Sequence, residues 1–432
     1  MMKSIVWFKT DLRIQDNETL IKAVAKSDCI LPVYCFDEAH FATTSFGFKK
    51  TGSYRAKFLL ESLKDLQKEL KKLGGDLLVV IGKPEIEIPK LVRQYKISKV
   101  FAKREVASEE KTTEDLVQNE LFKLKCEFET ISTSTLYHAE DLPFGIKDIP
   151  DIFTVFRKKI EKDAIIRPAF QAPTSIKSPE MPAFKLPNLS DFDLKPVKID
   201  SRAAVLFKGG ESEALKRLNY YFFKEKHIAT YKETRNGMVG DSYSSKFSPW
   251  LALGCISPRL IYSELKKYEE QFSANDSTYW LIFELLWRDY FRFVMKKYNH
   301  QLFLKSGIKS QEKPTTPSSP KILQKWINGE TGVDFVDANM IELKESGYMS
   351  NRGRQNVASY LCNDLKLDWR YGAAYFEQQL IDYDVCSNWG NWAYLAGVGN
   401  DPRGNRYFNI EKQAKDYDKD NIYRDLWLNK KS

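Results

Sequence analysis

Three short stretches of this sequence each gather chemically able side chains on one helical face. In Glu284-Leu285-Leu286-Trp287-Arg288, spacings of three and four bring a carboxylate, an indole and a guanidinium side by side. Asn351, Arg354 and Gln355 share that spacing, and within Asp382–Trp392 so do Asp384, Asn388 and Trp392. A fourth stretch, Asp241–Trp250, carries Ser242, Ser244, Ser245 and Ser248 ahead of a helix. Hydroxyls there cap the helix start or, with its free N–H groups, hold a phosphate, and on spacing alone capping is the simpler reading. Each pair taken singly is more often a solvated surface contact worth about 0.3 kcal/mol. Their interleaving with Trp and Tyr points instead to a polar pocket with aromatic walls. The histidines at 40, 138, 227 and 300 are far apart, with no HExxH and no metal-ligand pair, and neither GxSxG nor a P-loop occurs. No metal site is expected, and these residues alone do not name a reaction.

Two kinds of element must position them. Strand-like apolar runs at Ile5–Phe8, Ile30–Phe36, Leu77–Ile81, Val100–Ala102 and Phe128–Ile131 alternate with helical spacing. The clearest helix is Phe58, Leu59, Leu63, Leu66, Leu70 and Leu73, stopped by Gly74-Gly75. This alternation predicts a Rossmann-like parallel α/β domain over residues 1–138, with ligands at the carboxyl ends of its strands. No GxGxxG follows a strand, so a dinucleotide fingerprint is absent. Residues 139–200 carry eight prolines from Pro143 to Pro196 and read as a long linker, with one short helix at Phe153, Phe156 and Ile160. Residues 201–432 read as an all-helical domain. Its candidate helices are Glu211–Lys226, Pro258–Gln271, Thr278–Asn299, Val333–Ser346, Asn351–Leu365 and Trp369–Ile381, with a proline- and hydroxyl-rich loop at Ser310–Pro320.

Composition narrows the class. With 432 residues, 43% hydrophobic, the chain can build a large core, which excludes a mainly disordered protein. No apolar run reaches the roughly 18 residues of a membrane span. Six cysteines without a CxxC pair indicate neither a zinc knuckle nor a disulfide framework. The strand-like Ser4–Phe8 leaves no room for a signal or transit peptide, so a reducing, cytoplasmic setting is expected. Sixty-seven Lys and Arg against 58 Asp and Glu give a net charge of +9, and aromatics make up 13%. A mildly basic, aromatic-rich chain permits binding of nucleic acid or a flat cofactor.

The motifs taken in order resemble the photolyase/cryptochrome family along nearly the whole chain, and its DASH cryptochrome branch in particular. The resemblance rests on Trp7–Arg13 with Asp16-Asn17, on Tyr231–Gly237, on Ser244–Trp250, on Trp369–Gly372 and on Asp382–Trp392. It implies FAD in a bent conformation, with its phosphates held by Tyr231, Ser244, Ser245, Phe247 and Ser248. Asn351, Arg354, Asp382, Asp384 and Asn388 would surround the ring and ribityl groups, with Arg354 paired to Asp382 and Asn388 near the ring nitrogen N5. Trp326, Trp369 and Trp392 match the family's tryptophan chain for photoreduction. In a substrate pocket for a flipped cyclobutane pyrimidine dimer, Glu284 would bind the polar edge, Trp287 would stack and Asn351 would line the wall. Gln355 and Tyr394 replace the Met and the second stacking Trp of dimer photolyases, as in the DASH branch.

The implied activity is therefore light-driven dimer repair, preferentially in single-stranded DNA. The alternative is a blue-light receptor that binds DNA or RNA without efficient repair. Lys246, Arg288, Arg292, Arg352 and Arg403 are the expected DNA-backbone contacts, and Glu105 the expected contact of a methenyltetrahydrofolate antenna. Enzymes for (6-4) photoproducts place His in this region, and none follows His300. Iron–sulfur members need a cysteine cluster, whereas only Cys255, Cys362 and Cys386 are available. Little follows Asp425-Leu426-Trp427, so tail-based signalling is not expected. The chain is expected to act as a monomer away from membranes.

Overall fold

A computed structural model describes residues 2–182, 185–309, 315, 319–403 and 406–428. The five apolar runs become strands β1 (Lys3–Phe8), β2 (Cys29–Phe36), β3 (Leu78–Ile81), β4 (Lys99–Lys103) and β5 (Glu127–Ile131). They form one parallel sheet of order β3-β2-β1-β4-β5. All eight residues of β2 are buried, which is why it reads as a continuous apolar run. Pro32 is tolerated inside it because pairing with β3 starts only at Val33.

Helices α1 (Glu18–Lys26), α2 (Ser53–Lys72), α3 (Pro84–Tyr95) and α4 (Ser108–Lys123) make the crossovers. One sheet face, with Ile5, Trp7, Leu31 and Val33, closes a small core with α3 and α4. The other face, with Val6, Phe8, Tyr34 and Phe36, opens into the main core shared with the helical region. The leucine stripe of α2 is buried in that shared core, and the helix ends at Gly74 with φ +95°.

In the linker, α5 (Phe153–Asp163) buries Phe153, Phe156 and Ile160, as the spacing predicts. The chain then returns along the sheet domain, where Ile30 N donates to Lys177 O at 2.8 Å and Ile176 N to Leu73 O at 2.8 Å.

The helical region contains α6 (Glu211–Asn219), α7 (Tyr231–Thr234), α8 (Ser248–Ala252), α9 (Pro258–Gln271), α10 (Asp276–Tyr298), α11 (Pro320–Asn328), α12 (Asp334–Ser346), α13 (Asn351–Ser359), α14 (Trp369–Gln379), α15 (Val385–Leu395), α16 (Ile410–Tyr417) and α17 (Ile422–Leu428). Two expected helices are shorter in α geometry than their periodicity suggests: α6 and α13 each run on into a π-helical turn, Tyr220–Lys224 and Tyr360–Asp364. Helix α10 starts earlier than expected because Asn275 and Thr278 form a capping box. Helix α14 stops at Gln379, and Ile381 N turns away to Gly347 O at 2.9 Å. The short α11, α16 and α17 were not anticipated, since fewer than three turns carry too few periodic positions. Apart from Thr315, Ser319 and Pro320, the expected loop Ser310–Pro320 lies outside the described residues. Among the described residues no helix is long and apolar enough to cross a membrane.

The seam between the α/β and helical parts is polar and buried. Asp16 receives Arg259 Nη2 at 2.7 Å, Arg259 Nε at 3.1 Å and Ser257 Oγ at 2.5 Å. Glu211 accepts the backbone N–H groups of Ile14 and Gln15, and Asp289 those of Leu136 and Tyr137. Gly254 is required here: its φ is +64°, and a Cβ would sit 2.2 Å from Thr10 O. These contacts fix the orientation of α10, which carries Glu284 and Trp287.

Candidate functional site

A cavity of about 480 Å³ lies among the starts of α7, α8 and α13 and the inner faces of α10 and α15. Two groups of residues, far apart in the chain, converge on it. Tyr231, Ser244, Ser245, Phe247 and Ser248 line one side. Glu284, Trp287, Asn351, Gln355 and Tyr394 also line it.

The hydroxyl-rich turn is held by Arg217, whose guanidinium donates to Ser245 O at 3.0 Å, Asp241 O at 2.7 Å and Ser244 O at 3.1 Å. At its centre Lys246 has φ +56°, which carries its side chain inward. Lys246 is 3% exposed, and its Nζ has no hydrogen-bond partner among the described residues. It rests over the Tyr243 ring at 3.4 Å from the centroid, and burial lowers its pKa to about 7. A buried cation with no ion-pair contact among the described residues, beside two serines at a helix start, is a donor set suited to a phosphate. Lys246 was expected to contact a DNA backbone. Its burial corrects that: the ammonium faces the cavity, out of reach of an external strand.

On α10, Glu284 Oε1 receives Arg235 Nη1 at 2.6 Å. Burial nevertheless pushes the Glu284 carboxyl above its usual range, with Arg235 and Trp280 opposing. Trp287 stacks on Phe153 of α5, with centroids 3.7 Å apart and planes at 12°, and meets Tyr394 edge-on at 5.8 Å. Gln355 accepts from Arg352 Nη1 at 2.9 Å, and Arg352 Nη2 donates to Asn236 at 3.0 Å. Arg406 lies over the Tyr394 ring at 5.0 Å, and Arg403 Nη2 reaches the Tyr394 hydroxyl at 3.4 Å. Arg235, Arg288, Arg352 and Arg406 thus make the cavity wall cationic. Arg288 donates to Ser134 O and to Leu251 O, the latter at 3.2 Å.

The residues expected around a flavin ring divide. Asn351 is on the cavity wall, whereas Arg354, Asp382 and Asn388 do not line it. Arg354 Nη2 pairs with Asp382 Oδ2 at 2.7 Å, beside Tyr348, and leaves Asp382 Oδ1 buried without a partner. Asn388 donates to Ala373 O at 3.0 Å. Asp384 caps α15 through Ser387 N at 2.8 Å and opens on a different cavity. Trp326 and Trp392 are edge-to-face at 6.3 Å, and Trp369 meets Trp389 at 5.7 Å.

That second cavity, of about 560 Å³, sits at the carboxyl ends of β1, β2 and β4 and reaches α14 and α15. Glu105 lines it and pairs with Lys103 at 3.1 Å and Arg292 at 3.3 Å. Burial alone would raise the Glu105 carboxyl, but Lys103, Lys9 and Arg292 prevail and hold it at about 2. Arg292 is 7% exposed and engaged there, so the expected contact between Arg292 and DNA is also corrected.

Several lining residues were not singled out from the sequence. Arg235 and Asn236 lay within a quoted motif, but nothing in their spacing marks a pairing with Glu284 or Arg352. Tyr348, three residues before Asn351, carries no local signal of its place on the cavity wall, and neither does the stacking of Phe153 behind Trp287.

Residues 4–176 match the family model described as DNA photolyase, and residues 280–431 the FAD binding domain of DNA photolyase. The chain is 50% identical to "Cryptochrome DASH" of Xenopus laevis over 429 residues, spanning 98% of this chain and 82% of that protein. The crystal structure of a Synechocystis cryptochrome superposes with a TM-score of 0.96 at 49% identity, covering 99% of this chain and 89% of the other. An archaeal photolyase from Sulfolobus tokodaii, solved with two FAD molecules and described as implying a novel light-harvesting cofactor, superposes with a TM-score of 0.81 at 26% identity, covering 99% and 90%.

Proposed function

Since this chain belongs to the photolyase/cryptochrome family, in its DASH branch, and carries an FAD-binding domain, we propose that it repairs cyclobutane pyrimidine dimers in single-stranded DNA with light. The observation that carries this reading is the convergence of Glu284, Trp287, Asn351, Gln355 and Tyr394 on the same cavity as the phosphate-type donors around Lys246. Bound FAD would supply the light-excited electron donor.

The chain's own residues do the rest. Tyr231, Ser244, Ser245, Lys246, Phe247 and Ser248 hold the phosphates. Asn351 orients the ring from the cavity wall, backed by the Arg354–Asp382 pair and Asn388. Glu284 accepts the ring N–H groups of an extruded dimer, and this requires Arg235 to turn from the carboxylate toward the DNA phosphates. Trp287, braced by Phe153, offers its free area to the dimer. Arg288, Arg352, Arg403 and Arg406 neutralise backbone phosphates around the mouth.

Preference for single strands follows from energy. Base–aromatic stacking contributes roughly 1–3 kcal/mol per base. With Tyr394 edge-on rather than a second parallel indole, less of the cost of extracting a paired base is offset. The second cavity would hold an antenna, methenyltetrahydrofolate, beside Glu105. The protein would act as a cytoplasmic monomer.

The test is illumination of reduced protein with a dimer-containing oligothymidylate, single-stranded or annealed. Faster dimer loss in the single strand is expected. Equal rates on both substrates would refute the strand preference, and no loss on either would leave a light receptor.

A further inference from the structure

The tryptophans expected to relay electrons are not equivalent. Trp326 touches Trp392 but is fully buried at 0% exposure among Tyr375 and Phe376, so it offers no way out. The packing of α14 on α15 gives another direction. Trp392 lies against Gly372, where a Cβ would come 2.2 Å from its Cη2. One turn earlier on both helices, Trp389 packs on Trp369 with centroids 5.7 Å apart. Trp389 Nε1 then donates to the Tyr383 hydroxyl at 3.2 Å, and Tyr383 is partly exposed to the larger cavity. The Arg55 guanidinium lies 4.5 Å above the Tyr383 ring. A positive charge there disfavours a cationic phenol, so oxidation of Tyr383 must release its proton. The Glu377 carboxyl lines the same cavity as Tyr383.

Resting on the flavin reading above, we propose that Trp389 and Tyr383 extend the relay to the second cavity, with Tyr383 as its terminal redox site and Glu377 as the acceptor of its proton. Bound flavin would supply the one-electron acceptor for Trp392; from Trp392 the vacancy would pass to Trp369, one turn from the Gly372 that Trp392 touches, and on to Trp389. Tyr383 gives Trp389 one electron and Glu377 its phenolic proton, leaving a neutral tyrosyl radical. In protein without a bound antenna, a small thiol entering the cavity restores the phenol by giving up one hydrogen atom, and Glu377 releases its proton to solvent. Two thiyl radicals formed in successive turnovers pair as a disulfide.

Flash photolysis and electron paramagnetic resonance of the flavin-loaded protein test this. The wild type should show a Trp radical followed by a tyrosyl radical. Tyr383→Phe and Trp389→Phe should each lose the tyrosyl signal while keeping flavin stoichiometry, melting temperature and the Trp radical. Glu377→Gln should slow tyrosyl formation and change its solvent deuterium isotope effect, which a structural role would not move. A tyrosyl signal of wild-type strength in Tyr383→Phe, or a Trp radical with no tyrosyl radical in the wild type, would overturn the proposal and leave the flavin reading standing. Loss of every radical in flavin-loaded wild type would overturn the tryptophan relay as well.

Discussion

Replacing Lys246 with Met separates the two things a buried, unpartnered cation does. The ammonium is 3% exposed and has no hydrogen-bond partner among the described residues. A fall from 10.5 to about 7 means that roughly 5 kcal/mol of the charged form's stabilisation has been given up, at about 1.36 kcal/mol per unit. Met fills similar space without that cost, so flavin-free Lys246→Met should melt at a higher temperature than wild type. Once FAD is offered the sign reverses. A charge-assisted bond to a phosphate is worth about 1.5–3 kcal/mol, so the affinity should fall roughly 10- to 150-fold.

The pH dependence carries the same signature. Lys246 is protonated below about 7 in the free protein, and a bound phosphate raises that value. Wild-type affinity should therefore decline as pH rises above about 7, by at most about tenfold per unit, while Lys246→Met stays flat. Calorimetric melting of the flavin-free protein and fluorescence titration with FAD from pH 6 to 9 measure both. A lower melting temperature for the variant would refute the desolvation cost, and an unchanged affinity with unchanged pH dependence would refute the assignment of Lys246 to a phosphate.

Glu284→Ala should abolish most dimer binding while FAD stays bound, because Glu284 pairs with Arg235 and is not among the residues assigned to the cofactor; loss of flavin absorbance on purification would contradict this. Asp16→Asn should cost about 3 kcal/mol, since it leaves Arg259, buried at 4% exposure, with only Glu18 at 4.0 Å as counter-charge, and chemical denaturation would read this as a lower midpoint. DNA affinity should fall steeply between low and moderate salt, with a shallower slope in Arg406→Gln, and a flat salt response would remove the cationic rim from the binding site.

The sequence determined the two architectures by itself. Alternating apolar runs and leucine stripes are local patterns, and β1–β5, α2, α9 and α10 follow from them because burial rewards those spacings wherever the chain folds. The hydroxyl turn and the polar faces of α10, α13 and α15 were also legible, since i,i+3 and i,i+4 neighbours on a helix need no tertiary contact to share a face. What those faces meet was decided only by the fold. Glu284 finds Arg235 and Trp287 finds Phe153, whose distance along the chain leaves no periodic trace. Lys246 and Arg292 look like surface cations in sequence, yet the positive φ at Lys246 and the seam against Glu105 turn both inward. Whether a charge faces solvent or a cavity depends on which elements close over it. In this protein that closure is made by contacts between the α/β and helical parts, about which local spacing carries no information.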